Sequence, residues 1–312
     1  MDGVRALPGG AWLDVARSLP STLPTLPPRA ALTSLLRRLG VSPEDVAELP
    51  DRLDEVMADP MLSWVAGRFT TALRRDVGVL GLPSPYAEPG RAWPVFPLAA
   101  GPAARCVYLP GFLAAVEDVR RLHRSRGIPD ATSWATLSDL GRQLAAHRWA
   151  VGSVGLDTQW WLMGIWDGGI VDVGRLQGEW LDERTVGLHI PESGPLGDAA
   201  VEASLERLRT EWSGWFGSRP ERAECASWLL DPQLARMLPP TSNIVRFQRR
   251  FTLVDGGSVD DDEPLYFVFR RRGVELPAGL SELPRETSLQ RAIVDHLLAG
   301  GHWQIRRGRL AL

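Results

Sequence analysis

The sequence predicts an α+β (mixed α/β) fold, in which helices come first and a central mixed sheet flanked by helices follows. Three observations predict it. Apolar residues recur at three-and-four spacing through the first half of the chain. From residue 170 the period shortens to brief runs compatible with strands. Between two of those runs, Val201, Leu205, Leu208, Trp212 and Trp215 return to helical spacing. A length of 312 residues sets a prior of about two domains, with chain enough for a sizeable core.

The elements follow in order. Pro8, Pro20, Pro24, Pro27 and Pro28 stand among small residues, which predicts a Pro-rich arm without helix over 1–30. A helical N-terminal domain is expected over 31–100. Ser42-Pro43-Glu44-Asp45 supplies a cap, a first-turn proline and acids at the positive helix end. Leu53, Val56, Met57, Met61, Trp64, Val65, Phe69 and Leu73 then keep an apolar stripe. Prolines at 83, 85, 89, 94, 97, 102 and 110 break helices and mark a boundary, after which a second domain is expected over 101–312. That domain is expected to hold helices at 112–126 and 133–148. Strands are expected at 170–180, 186–190, 223–230, 243–253 and 265–270, with a short helix at 232–237. The plainest alternation sets Val245, Phe247, Phe251 and Leu253 against Arg246, Gln248, Arg250 and Thr252. The tail adds a helix opened by the capping box Thr287-x-x-Gln290 and a hairpin turning at Arg307-Gly308.

Composition narrows the chemistry. All 35 basic residues are Arg, since the chain has no Lys, and its one Asn is Asn243. A Walker A loop, a Schiff-base lysine and a Ser-x-x-Lys nucleophile are therefore excluded. A net charge of -3 argues against a general nucleic-acid partner. Cys106 and Cys225 are too few and too far apart for a zinc ribbon, and no metal is expected. No apolar run approaches ~18 residues, so the expectation is a soluble cytoplasmic protein without membrane contact. The sequence lacks G-x-G-x-x-G, G-x-S-x-G, H-E-x-x-H and C-x-x-C, which disfavours dinucleotide enzymes, α/β-hydrolases and zinc hydrolases.

The most informative local element runs Leu188-His189-Ile190-Pro191-Glu192-Ser193-Gly194-Pro195-Leu196, from a strand through a loop into the long helix. Such a turn aims backbone N–H groups and the positive helix end at one spot, which suits a pyrophosphate, although ordinary connectors share its form. His189 alternates away from Val186, Leu188 and Ile190, and an imidazole there suits proton removal from an amine. Its alternative is a surface or hydrogen-bonded core histidine. Ser227 shares a strand face with Cys225 and is a candidate polar group, or else a hydroxyl bonded to nearby backbone. Asn243 shares a side with Val245 and Phe247 and is expected as a buried amide, or else as a cap after Pro239-Pro240. Trp160, Trp161, Trp166 and Trp180 read as core filling before a ligand platform, and Arg246, Arg249 and Arg250 as a solvated face before a phosphate clamp.

Several separated segments, in order, carry a resemblance. Arg124-Ser125-Arg126-Gly127-Ile128-Pro129, Val173-Gly174-Arg175-Leu176-Gln177, Leu188-His189-Ile190-Pro191, Ser227-Trp228-Leu229-Leu230-Asp231-Pro232-Gln233 and Ser242-Asn243-Ile244-Val245-Arg246-Phe247-Gln248 resemble bacterial acyltransferase-domain proteins over residues 30–312. Those proteins join a helical N-terminal acyltransferase region to a GNAT-like C-terminal domain. The resemblance implies that 186–190 and 223–230 are the two strands that diverge around a pantetheine arm. It also implies that Glu192, Ser193, Gly194 and Leu196 hold the pyrophosphate. The implied reaction is direct attack of a small-molecule amine on an acyl thioester of CoA or an acyl carrier protein, with His189 as base and Ser227 and Asn243 as polar groups. Thioester hydrolysis, decarboxylation and a non-catalytic scaffold are the alternatives. Two departures stand out: the usual Arg/Gln-x-x-Gly-x-Gly/Ala loop is reduced to Ser193-Gly194-Pro195, and Ala226 replaces a His common after the cysteine.

Overall fold

Between Pro8 and Pro20 no proline interrupts the chain, and there the computed structural model forms α1, Trp12–Ser18. Trp12 and Ala16, one turn apart, are both buried. The arm expected to lack helix therefore contains one, because its prolines cluster at the ends. The structure describes residues 9–83, 91–254 and 256–312, so Pro8, Pro85 and Pro89 lie outside the described residues.

The chain divides into two units, Met1–Asp172 and Val173–Leu312. In the first, α2 (Arg29–Arg38), α3 (Pro43–Ala58) and α4 (Pro60–Asp76) precede α5 (Pro102–Arg105), α6 (Leu109–Ser125), α7 (Asp130–Leu137), α8 (Asp139–Val151), α9 (Gln159–Trp166) and the short strand β1 (Ile170–Asp172). Ser42 caps α3 by accepting from the Asp45 N–H at 3.1 Å, and Asp59 caps α4 through Met61 and Leu62. Phe69 centres the core, with Trp93, Tyr108 and Phe112 rings packed 4.8 to 5.2 Å from its own. The proline-rich stretch expected as a boundary near residue 100 lies inside this unit. Trp93 and Phe96 are buried there, the Tyr108 hydroxyl donates to the Pro94 carbonyl at 2.6 Å, and the Gln159 amide donates to the Trp93 carbonyl at 2.7 Å. Prolines stop helices, but they do not stop aromatic side chains from docking. The helix expected over 133–148 is two, joined at Ser138. Gly141 at the start of α8 abuts the turn after α2 so closely that an added Cβ would lie 2.2 Å from the Gly40 carbonyl oxygen.

The second unit carries β2 (Gln177–Asp182), β3 (Thr185–His189), α10 (Asp198–Thr210), α11 (Trp212–Phe216), β4 (Arg222–Ser227), α12 (Pro232–Met237), α13 (Asn243–Gln248), β5 (Thr252–Leu253), β6 (Ser258–Val259), α14 (Asp262–Phe269), α15 (Ser288–Leu298) and β7 (Gln304–Ala311). Its strands run β2-β3-β4-β7-β5, with β6 also paired to β7. The β3–β4 pair is parallel and the other pairs are antiparallel, which makes the sheet mixed. One face takes the helices. At Gly178 an added Cβ would meet Trp212 at 2.7 Å and Leu208 at 2.9 Å, so α10 and α11 lie directly on β2.

Four sequence expectations change. The strand expected over 170–180 is two, separated by a turn in which the Val173 N–H donates to the Leu176 carbonyl. Asn243 begins a helix and not a strand, because the Ser242 hydroxyl accepts from the Val245 N–H at 3.2 Å and caps it. Val245 and Phe247 are buried as expected, but on opposite sides of a short helix and not on one face of a strand. Residues 265–270 are the end of α14, whose start Asp262-Glu263-Pro264 places acids and a proline in the first turn. Arg307-Gly308 is not a hairpin turn but the middle of β7, with Gly308 opposite Cys225. Glycine serves there for close approach, since an added Cβ would lie 2.8 Å from Phe251 Cβ and 3.1 Å from Leu230 Cδ1.

The segment after β4 ties the unit together. Asp231, 1% exposed, caps α12 through the Gln233 N–H at 2.9 Å and accepts from the Gln304 N–H at the start of β7 at 2.9 Å. The Gln248 amide donates to the Leu229 and Asp231 carbonyls, both at 2.8 Å.

Two outcomes follow. Gly308→Val overpacks the joint of β7, Phe251 and Leu230 and is expected to cost about 1–3 kcal/mol in urea unfolding. His123, buried beside Ser133 with Arg126 and Arg120 near, is pushed down to about 4, chiefly by burial. Its folded-state pKa lies below the ordinary 6.5, so the unfolded chain takes the proton first and stability falls as pH drops from 6.5 to 4. The loss is roughly 3 kcal/mol, and His123→Gln is expected to flatten that part of the stability–pH curve.

Candidate active site

β3 has an antiparallel neighbour and a parallel one, and the two pairings end at different levels. With β2 the register runs through Gly178↔Leu188 to Gln177↔His189. With β4 it stops at Gly187↔Glu224, although β3 continues to His189 and β4 to Ser227. The parallel strands thus part, with His189 on one lip of the opening and Ala226 and Ser227 on the other.

His189 faces away from the helix side, as alternation requires. Its Nε2 lies 2.7 Å from Oε2 of Glu179, a pair about one-third exposed on each side. Glu179 sits opposite Gly187, diagonal to His189, and its side chain crosses the glycine to arrive there: an added Cβ on Gly187 would lie 3.1 Å from Oε2. A carboxylate accepting this bond makes Nε2 the donor. The arrangement fixes the orientation of the imidazole at the opening and sets a carboxylate against it. Glu179 was missed in the sequence because 170–180 was read as one strand. The two-residue Glu183-Arg184 connection alone would set Glu179 against Leu188; a register shift between Trp180 and Asp182 brings it opposite Gly187, and the sequence does not announce that shift.

The loop of Glu192, Ser193, Gly194 and Leu196 follows His189 directly. Arg175 holds both its ends, donating from Nη1 to the Pro191 carbonyl at 2.9 Å and from Nε to the Pro195 carbonyl at 3.0 Å. Burial lowers the Arg175 pKa. The turn that carries Arg175 is itself fixed to α10, where the Ser204 hydroxyl accepts from the Arg175 N–H at 2.9 Å. Glu192 pairs with the buried Arg270, Ser193 and Gly194 are exposed, and Leu196 is buried. Gly194 has φ 117°, a conformation that suits glycine. Gly197 caps α10 without a side-chain hydrogen bond, which leaves its first N–H groups facing the loop's end. Asp198 in that first turn is engaged by Arg250 at 2.5 Å, and Arg250 also holds Glu202.

The other sequence candidates are placed elsewhere. Ser227 falls on the face opposite His189 by alternation, and its hydroxyl accepts from the Leu229 N–H at 3.1 Å. Asn243, expected as a buried amide, is exposed at the first position of α13, closer to the cap alternative. Cys225 is buried and its thiol is pushed up to about 12 by burial, which makes it inert. Trp166 is core, its indole donating to the Phe112 carbonyl at 2.9 Å.

Comparison with known proteins bears on both units. Residues 30–168 match an N-acyltransferase N-terminal domain and residues 171–310 match a GNAT-like C-terminal domain. An acyltransferase in complex with decanoyl-CoA and teicoplanin is 38% identical, with TM-score 0.85 over 97% of this chain and 94% of that one. An acyltransferase in complex with CoA and 10C-teicoplanin is 37% identical, with TM-score 0.85 and the same coverage. An acyltransferase mutant in complex with octanoyl-CoA is 37% identical, with TM-score 0.86 and again that coverage. Among the curated proteins no match is found.

Proposed function

The chain belongs to the acyltransferases that join an N-acyltransferase N-terminal domain to a GNAT-like C-terminal domain, and from that premise we propose that it moves a medium-length acyl group from acyl-CoA to an amine of a small-molecule acceptor. The observation that carries the reading is the parting of β3 and β4 after Gly187↔Glu224, with a carboxylate-oriented imidazole on its lip. The similar structures hold octanoyl-CoA and decanoyl-CoA, which supports CoA over a carrier protein and a chain of that length. Two of them hold teicoplanin or its acylated form, which supports an acceptor of that kind, a glycopeptide amine.

In this reading the acyl-pantetheine arm lies between the parted strands and the pyrophosphate lies at the loop of Glu192, Ser193, Gly194 and Leu196, before α10. The amine nitrogen attacks the thioester carbonyl, the C–N bond forms and the C–S bond breaks. His189 removes the amine proton at Nδ1 while Glu179 holds Nε2–H and the ring's orientation. A backbone N–H where the strands part stabilises the oxyanion, and the leaving thiolate takes the proton that His189 removed from the amine. Ser227 and Asn243 receive no step, since their observed positions give them capping and helix-start roles. A cytoplasmic setting, where acyl-CoA is made and used, belongs to the same reading.

Two experiments test it. His189→Ala is expected to lower kcat for acylation by roughly 10²–10⁴ while an acyl-CoA still raises the melting temperature, and Glu179→Gln is expected to lower kcat less. Unchanged acylation in His189→Ala removes the base. Glu192→Arg is expected to alter Kd for CoA in titration calorimetry, and an unchanged Kd removes the loop from the cofactor site.

A further inference from the structure

In the acyl-CoA reading the loop after β3 receives the pyrophosphate, yet it has few N–H groups to offer an anion. Pro195 has none, and the Ser193 N–H donates to the Pro191 carbonyl at 2.8 Å. Glu192, Gly194 and Leu196 supply the others. Each serves only if its peptide plane is held in the right sense, because a carbonyl turned toward a phosphate repels it. An added Cβ at Gly194 or Gly197 would meet nothing within 4 Å, so neighbouring side chains do not press the loop into shape there.

Arg175 shapes it from outside. Its Nη1 donates to the Pro191 carbonyl at 2.9 Å and its Nε to the Pro195 carbonyl at 3.0 Å, so one guanidinium grips both ends of the segment. The C=O and N–H of a trans peptide point to opposite sides, and the cis peptide among the described residues is Leu276-Pro277. Drawing the two carbonyls onto Arg175 therefore turns the N–H groups of Glu192 and Leu196 away from it. Two of the three donors are oriented by a residue from another part of the chain.

The guanidinium is itself anchored. Arg175 rides a turn closed by the Val173 N–H, which donates to the Leu176 carbonyl at 3.0 Å. The hydroxyl of the fully buried Ser204 accepts from the N–H groups of Arg175 at 2.9 Å and Leu176 at 3.3 Å, and it donates to the Ala200 carbonyl at 3.0 Å inside α10. Gly174, with φ 111°, allows that approach, since an added Cβ would lie 3.2 Å from Ser204 Oγ. α10 fixes Arg175, Arg175 fixes the loop, and the loop leads back into α10. This closed circuit holds the loop's donors in place with respect to the positive end of the helix.

We propose that Arg175 is the positioning residue of the acyl-CoA site, holding the loop of Glu192, Ser193, Gly194 and Leu196 in the form that takes the pyrophosphate. It acts through the loop's peptide groups, and its planar fork reaches two carbonyls where a lysine ammonium is a single point. The inference rests on the reading that acyl-CoA binds at this loop and adds the residue that gives the loop its shape.

The test is titration calorimetry with octanoyl-CoA and with octanoyl-pantetheine, which carries the same thioester without the pyrophosphate. Arg175→Gln is expected to raise Kd for octanoyl-CoA about tenfold or more and to leave Kd for octanoyl-pantetheine unchanged, and Arg175→Lys to restore part of the loss. Ser204→Ala keeps the guanidinium and loosens its turn. It is expected to raise Kd for octanoyl-CoA by less, and it carries the test if Arg175→Gln does not fold. A merely structural role would weaken both ligands alike. That result, or an unchanged Kd for octanoyl-CoA in Arg175→Gln and Ser204→Ala, overturns the inference while leaving acyl transfer intact. A wild-type protein that does not bind octanoyl-CoA overturns the acyl-CoA reading and this inference together.

Discussion

Everything at the site depends on how long β3 keeps two neighbours. Through Gly187 it pairs with a strand on both edges, and for its last two residues the register continues with β2 and not with β4. A sheet edge opened inside a sheet is costly unless another partner satisfies its polar groups. The protein limits the cost by anchoring both lips from outside the opening. β2 holds His189 through Gln177, and β7 holds β4 as far as Ser227↔Arg306. Each lip is held on its outer side, and the β3–β4 register does not continue between them, which is the condition for admitting an extended ligand between strands.

The two faces of the sheet then divide the labour. On the helix face, close approach dominates: Gly178 receives Trp212 and Leu208, and Gly308 receives Phe251 and Leu230. On the other face, charge is organised in rows across the strands, with Glu179 and His189 on one side of the opening and Glu224 and Arg309 below its far lip. Gly187 belongs to this second economy, because the missing side chain is the path that Glu179 uses to reach His189. Changing it to a larger residue would alter the base's orientation before it altered the fold.

Much of this was legible in the sequence, and the failures have physical causes. Capping chemistry was read correctly wherever it stood alone. Ser42 caps α3, and Thr287 with Gln290 forms the expected box at α15. The strand carrying His189, its alternation and the loop that follows were found because a short apolar run ended in a Gly-containing turn. Short segments failed. Val245 and Phe247 share a face in a strand but stand about 200° apart round a helix, so their pattern favours the strand, and the Ser242 cap overrides it. At Gly308 the sequence shows a glycine, but whether it bends the chain or admits Phe251 depends on a residue 57 positions away (308 minus 251). Glu179 was invisible for the same reason, since its role depends on register. The resembling motifs also changed meaning. Asp231, Gln233 and Gln248 are joints that hold β4, α12 and β7 together, so those segments identify the architecture more than the chemistry.

The central claim is that the acyl-pantetheine arm enters between β3 and β4. Hydrogen–deuterium exchange with and without an octanoyl-CoA thioether analogue tests it directly, because backbone groups at the lips gain partners when the arm is seated. The account predicts slowed exchange concentrated in residues 187–193 and 224–228, with β2 and β7 beyond them little changed. Saturating analogue that slows exchange elsewhere and leaves those two segments unaltered would contradict it.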